Sequence, residues 1–299
     1  MSEQKFTSEH SLCQGCAVPI VVNAVLNSTD KQVVVGIATG CLEVASTQYP
    51  GGAWKVPYIH SLFENIAPTM AGVEAAYKAL RKEGLKKELK FIAFAGDGAT
   101  YDIGLQAFSG VLERGHDILY VCYDNEGYMN TGGQRSGATP HGANTTTQPA
   151  GKESYGKTQQ RKNIMEIVAA HNIPYAAQAS TADIPDLMRK ARKALEMKGP
   201  RFLNVLCPCI ANWKYDPKET VNVARLAVET GFWPLYEIEN GNYIINYQPK
   251  QRIRIEEFLK LQKRFAHLFN QKNSHAIAEL QANIDREWER LKAKCGVSG

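Results

Sequence analysis

Two apolar patterns alternate along this chain. Short unbroken runs have strand length: QVVVGIATG at 32–40, FIAFAGDG at 91–98, DILYVCYDN at 117–125, IPYAAQA at 173–179 and RFLNVLC at 201–207. A run that is apolar on both sides of the pleat marks a strand covered on both faces. Between these runs the spacing turns helical: at 18–26, then Ile66, Met70, Val73, Tyr77 and Leu80 along one face, then 103–114, 184–197 and about 218–230. Such alternation predicts an α/β fold, a mostly parallel sheet with helices on both faces. Residues 127–160 break the pattern, being rich in Gly, Thr, Asn, Gln and Pro. A loop that long in a compact unit is usually functional or disordered, and its place directly after Asn125 favours function. Further on, ENGNY reads as a hairpin turn. Phe258, Leu261, Phe265 and Leu268 read as one amphipathic helix, and Ile277, Leu280, Ile284, Trp288 and Leu291 as another. The expected division is a main domain over 1–240 and a hairpin and helical C-terminal extension over 241–299.

Composition adjusts this picture only slightly. The 299 residues are 44% hydrophobic and 22% charged, ordinary for a globular protein. Most of the net charge of +5 sits in 251–299, where 10 Lys/Arg face 6 Asp/Glu. Both signs share helical faces there, which suits a solvated or partner-facing surface better than a nucleic-acid stripe. No apolar run nears the roughly 18–20 residues that span a bilayer. The start, MSEQKFTSEHSLCQGC, lacks a basic-then-apolar leader, so a cytoplasmic protein is expected.

The chemistry begins with seven cysteines: Cys13, Cys16, Cys41, Cys122, Cys207, Cys209 and Cys295. An odd count without an export signal points away from a disulfide framework and towards metal. Cys13-Gln-Gly-Cys16 puts two sulfurs on one tight loop, with Cys41 just past the first strand. A thioredoxin-type pair would follow a strand, and none precedes Cys13. Spacing alone leaves a zinc site and a 4Fe–4S cluster both open, since each can use four thiolates.

A second signal is Gly96-Asp97-Gly98 at a strand end, followed after 26 residues by Asn125 at the end of the next strand. Glycines let backbone N–H groups approach a diphosphate, and the following helix adds its positive end. Asp97 supplies a hard carboxylate for the bridging magnesium, Asn125 a side-chain oxygen, and a carbonyl just beyond it a third ligand.

CQGC, GIATGCLEV, WKVPYIHSLFEN, AFAGDGATYDIGLQA, CYDNEGYMNTGGQRSGAT and the PC ending at Cys209 together resemble the β subunits of 2-oxoacid:ferredoxin oxidoreductases, most closely the pyruvate branch. The resemblance covers roughly residues 10–235. It implies a thiamine-diphosphate-binding fold, with thiamine diphosphate, Mg2+ and a 4Fe–4S cluster as cofactors. It implies cluster ligation by Cys13, Cys16, Cys41 and, directly after a proline, Cys209, with Cys207 the alternative fourth ligand. Magnesium would fall to Asp97, the Asn125 side chain and the Gly127 carbonyl. Asn130 and Thr131 would line the thiazolium and substrate side, and His60 and Glu64 the cofactor end of the sheet. His116 and His141 draw only a surface-loop reading, and Cys122 and Cys295 read as inert.

By the same resemblance the activity is oxidative decarboxylation of a 2-oxoacid to acyl-coenzyme A and carbon dioxide, with electrons leaving to ferredoxin. Other subunits of the complex would supply the substrate clamp and the coenzyme A site. Many relatives read Gly-Cys-Gly-Glu where this chain has Gly15-Cys16-Ala17-Val18, so a polar contact of that carboxylate is missing here. Branched-chain, aryl or oxalate substrates stay open. A non-redox thiamine enzyme would leave four cysteines idle, and a zinc-stabilised scaffold would leave the glycine turn incidental.

Overall fold

The computed structural model describes residues 4–84 and 87–296; the outermost ends of both expected units, 1–3 and 297–299, lie outside them. Eight strands form one sheet: β1 (Gln32–Ala38), β2 (Tyr58–Ser61), β3 (Leu89–Gly96), β4 (Ile118–Asp124), β5 (Tyr175–Ser180), β6 (Arg201–Leu206), β7 (Leu235–Glu239) and β8 (Asn242–Tyr247). Their order is β2-β1-β3-β4-β6-β5-β7-β8. The first six run parallel; β7 pairs antiparallel with β5, and β8 antiparallel with β7. The β7–β8 turn is Asn240-Gly241 with φ of 46° and 81°, the left-handed pair a tight hairpin needs.

The apolar runs are explained by two cores. Val33, Val35, Ile37, Ile92, Phe94, Leu119 and Val121 enter one, beneath the helices Val18–Leu26 and Ile184–Glu196. Phe91, Ala93, Ile118, Tyr120 and Cys122 enter the other, beneath Ile66–Lys82 and Leu105–Glu113. Successive residues of one strand face opposite ways, so both faces are apolar.

Four expectations need correction. The helix placed at 103–114 is preceded by a π-helical turn, Gly98–Ile103, so the helical path begins inside the glycine motif and Ile103 is exposed. Leu80 is exposed rather than buried, because the buried face of Ile66–Lys82 ends near Glu74. The residues from Phe258 to Leu268 do not form one helix. They divide into Glu256–Lys260 and a 3-10 segment, Lys263–Phe269, at an extended Gln262. His141 is buried, its Nδ1 against Thr158 O at 2.9 Å, because the loop around it folds into the protein.

A third apolar core joins Trp213, Val223, Phe232 and Trp233 to Phe258, Leu259, Phe265, Leu268, Ile277 and Ile284. The helix Ser274–Lys294 presents the expected buried face, and both C-terminal segments fold back on their own chain.

Candidate cofactor and cysteine site

β1 leads to β2 on one side of the sheet, while β3 and β4 lie on the other. A crevice forms where the direction of winding reverses, at the carboxyl ends of the strands. Cys41, Asp97, Asn125 and Cys209 all follow strand ends at this edge: those of β1, β3, β4 and β6. One cleft there is lined by Cys41, Gly96, Gly98, Asn125, Gly127, Asn130 and Thr131, among others.

Asp97 is fully buried. Its Oδ2 accepts from Ser136 Oγ at 2.5 Å and its Oδ1 from the Asn125 N–H at 3.3 Å. Burial, then the neighbouring Asp124 charge, push its carboxyl well above the ordinary range. One terminal amide atom of Asn125 lies 2.9 Å from Gly127 O and 2.8 Å from Asp97 Oδ1. Turned one way, the amide donates to both; turned the other, its oxygen completes a group of three oxygens. Magnesium ligands about 2.1 Å from the ion stand about 3 Å apart along an octahedral edge. That spacing suits a hard dication, and so does the unfavourable charge on Asp97.

Gly98 has a further reason to be glycine. A Cβ there would fall 2.4 Å from the Tyr128 ring, and Tyr128 donates its hydroxyl to Gly98 O at 3.1 Å. Tyr128 also meets Phe63 edge-on, at 6.1 Å between centroids. Phe63, Tyr123 and Tyr128 all line the cleft. Sequence reasoning missed them, and Ser136 as well; nothing in their spacing set them apart from core aromatics and loop polars.

His60 reaches the rim through Thr39, Nε2 to Oγ1 at 2.9 Å, and Thr39 lines the cleft. Glu64 is half-buried and does not line it; its neighbour Phe63 does. Asn130 and Thr131 are exposed at the cleft, and Thr131 donates to Gln134 Oε1 at 2.6 Å. His116 is not a free surface group either, since its Nδ1 lies 3.0 Å from Glu74 Oε2.

The cysteine loop closes on itself, with the Cys16 N–H donating to Cys13 O at 2.9 Å. It needs the left-handed φ of 77° at Gly15, whose carbonyl accepts from Thr220 Oγ1 at 2.7 Å. Pro217 sits where a Gly15 side chain would be. These contacts seat the N-terminal loop on the turn and helix that begin at Pro217 and Thr220. Burial, then the charges of Cys209 and the other thiols, push Cys16 and Cys41 up to about 12. Burial raises Cys209 too, against N–H groups of Asn212 and Ala211 and with Cys13 nearby. The four thiols are thus within electrostatic reach of one another. Among the described residues, no three His, Cys, Asp or Glu side chains already stand at the spacing of a single-ion site. Cys207 is buried at the strand end, its N–H donating to Asp124 O at 2.8 Å.

Behind the turn lies a buried charge network. Asp124 accepts from Tyr101 at 2.6 Å and Arg161 at 2.7 Å; Glu126 accepts from Arg161 at 3.1 Å and Arg264 at 2.5 Å. The fold and the glycine turn after β3, with Asp97 buried beneath a cleft lined by Gly96, Gly98 and Asn125, define the class of the domain: it is that of the thiamine pyrophosphate enzymes. Residues 38–205 match the family described as thiamine pyrophosphate enzyme, C-terminal TPP binding domain.

Relatives narrow the class. The chain is 54% identical over 292 residues to pyruvate synthase subunit PorB of Thermotoga maritima, covering 95% of this chain and 90% of that one. It is 49% identical to the PorB of Methanocaldococcus jannaschii, with 97% of each covered. It is 43% identical to ketoisovalerate oxidoreductase subunit VorB of Pyrococcus abyssi, covering 99% and 95%. The chain belongs to the PorB family, the β subunits of the 2-oxoacid:ferredoxin oxidoreductases, and is one subunit of a multi-subunit enzyme. A solved 2-oxoglutarate:ferredoxin oxidoreductase from Magnetococcus marinus shares the fold, with a TM-score of 0.59 at 19% identity over 75% of this chain and 81% of that one. No helix among the described residues is long and apolar enough to cross a membrane.

Proposed function

We propose that this subunit binds thiamine diphosphate, Mg2+ and a 4Fe–4S cluster, and with its partner subunits oxidatively decarboxylates pyruvate. The products are acetyl-coenzyme A, carbon dioxide and electrons for ferredoxin. The observation that carries this reading is a shared cleft: Cys41 lines the same crevice as Gly96, Gly98, Asn125 and Gly127.

In this reading Asp97, Asn125 Oδ1 and Gly127 O hold the cation, and Ser136 fixes the free oxygen of Asp97. Gly96 and Gly98 leave the backbone open to the diphosphate. Cys13, Cys16, Cys41 and Cys209 grip the cluster, and thiolates that repel one another suit a shared multi-iron partner. Asn130 and Thr131 face the substrate side, with His60 and Glu64 at the nearby rim. When bound, the organic cofactor supplies the nucleophilic carbon and the electron sink for decarboxylation. The chain's own work is positioning and exclusion: Tyr123, Tyr128 and Phe63 wall the cleft against water. A second substrate reading, a branched-chain 2-oxoacid, is favoured by the near full-length likeness to the ketoisovalerate subunit.

Anaerobic purification with co-eluting chains tests the proposal. Iron and acid-labile sulfide are assayed, then viologen reduction over a 2-oxoacid panel with and without coenzyme A. Iron, sulfide and fastest turnover of pyruvate are expected. Zinc without iron would remove the redox reading, and faster turnover of a branched acid would move the substrate.

A further inference from the structure

We propose that Arg264 and Glu126 form a positioning clamp for the turn carrying Asn125 and Gly127, so that the C-terminal segment sets cofactor affinity. The clamp rests on the magnesium reading above.

Glu126 lies between Asn125 and Gly127, the proposed cation ligands, with φ at 67°, a conformation non-glycine residues seldom adopt. Something must hold it there. Its own N–H donates to Asp124 Oδ1 at 3.1 Å, and its carbonyl accepts from Thr139 Oγ1 at 2.7 Å. Its side chain is wholly buried and stretched between two guanidiniums, Oε1 to Arg161 at 3.1 Å and Oε2 to Arg264 at 2.5 Å.

Arg264 belongs to the 3-10 segment Lys263–Phe269, 138 residues away in sequence. Its guanidinium lies 3.8 Å over the Trp213 ring, and Nε donates to Gln262 Oε1 at 2.9 Å. Trp213 in turn donates its indole N–H to Asn125 O at 2.9 Å. One arginine therefore holds the turn twice, through the Glu126 carboxylate and through the tryptophan gripping the Asn125 carbonyl. Trp213 lies four residues after Cys209 on a helix that starts beside that thiol. The same support thus steadies the chain from a proposed cluster ligand to the proposed cation ligands. Partners that orient first ligands commonly govern metal affinity.

The test uses the assembled enzyme carrying the variant subunit, stripped of cofactor with a chelator. Mg2+ is titrated at fixed thiamine diphosphate and the diphosphate at fixed Mg2+, with binding read by calorimetry. Arg264→Gln and Glu126→Gln should each raise the Mg2+ half-saturation by about 10–100-fold. Arg264→Lys should recover only part of the loss, and the double variant should be no worse than the worse single. An unchanged half-saturation in a variant that melts like the wild type overturns the clamp, and so do single effects that multiply. If the singles fail to assemble, the double variant, which removes both charges, decides the matter on the same criterion. Asp97→Asn separates the two claims. If it also binds Mg2+ normally, the magnesium reading falls; if it alone loses binding, only the clamp falls.

Discussion

Cys41 lines the same cleft as Gly96 and Asn125, while its thiol feels the charges of Cys13, Cys16 and Cys209. Cys41→Ser keeps the shape and replaces a thiolate with a poor iron ligand. The variant should lose cluster iron yet still bind Mg2+ and thiamine diphosphate measurably; a full complement of iron would refute its place among the ligands. Lys157 offers a different residue-scale test. It is wholly buried, donating to Thr139 O at 2.5 Å and Ser136 O at 3.2 Å. Burial, then the charges of Arg135 and Arg161, pull its ammonium down to about 8, against Asp102 and Glu126. The unfolded chain holds that proton to about 10.4. Between these values the unfolded state binds more protons, so stability rises with pH across the window. Lys157→Met should lack that increment. Urea unfolding of both proteins at pH 7.5 and pH 10 checks it, and parallel pH profiles would refute the buried ammonium.

At the scale of elements, Gly98 ties β3 to the π turn and the Tyr128 ring to both. Gly98→Ala would place a methyl 2.4 Å from that ring, and overpacking of this kind costs about 1–3 kcal/mol. Tyr128 would have to move, taking the cleft wall with it. Weaker thiamine diphosphate binding and a lower melting temperature are expected together; unchanged affinity would mean the ring yields freely. The strands, and the placing of Asp97 and Asn125 at their ends, were legible because a doubly covered sheet writes unbroken apolar runs. The π turn was not, since Gly98-Ala99-Thr100 carries no apolar period. The break at Gln262 was hidden for the opposite reason. Phe258, Leu261, Phe265 and Leu268 keep helical spacing, yet the backbone opens where Gln262 and Glu126 draw in Arg264. Local pattern cannot report a carboxylate 138 residues away. The place of Cys41 beside the glycine turn was legible from the strand ends; the aromatic walls of their cleft were not.

For the whole molecule, the question is whether the C-terminal 49 residues, 251–299, are an appendage or part of the fold. Their charge suggested a solvated or partner-facing surface. Beneath those charged faces the structure buries Ile255, Phe258, Leu259, Phe265, Leu268, Ile277, Leu280 and Ile284 against Trp213, Val223, Phe232 and Trp233. Each such side chain contributes roughly 1.5–3 kcal/mol on burial, while a whole domain is stable by only about 5–15 kcal/mol. Losing all eight is comparable to that whole margin even at the lower figure. A chain ending at residue 250 should therefore be insoluble or unfold without a cooperative transition. Phe265→Ala, which removes one anchor beside Arg264, should fold but lose about 3–5 kcal/mol. Thermal melting and denaturant unfolding of both variants give the answer. A soluble truncated chain that melts like the full one would make the segment a surface appendage, and Arg264 could then have no hold on the cofactor turn.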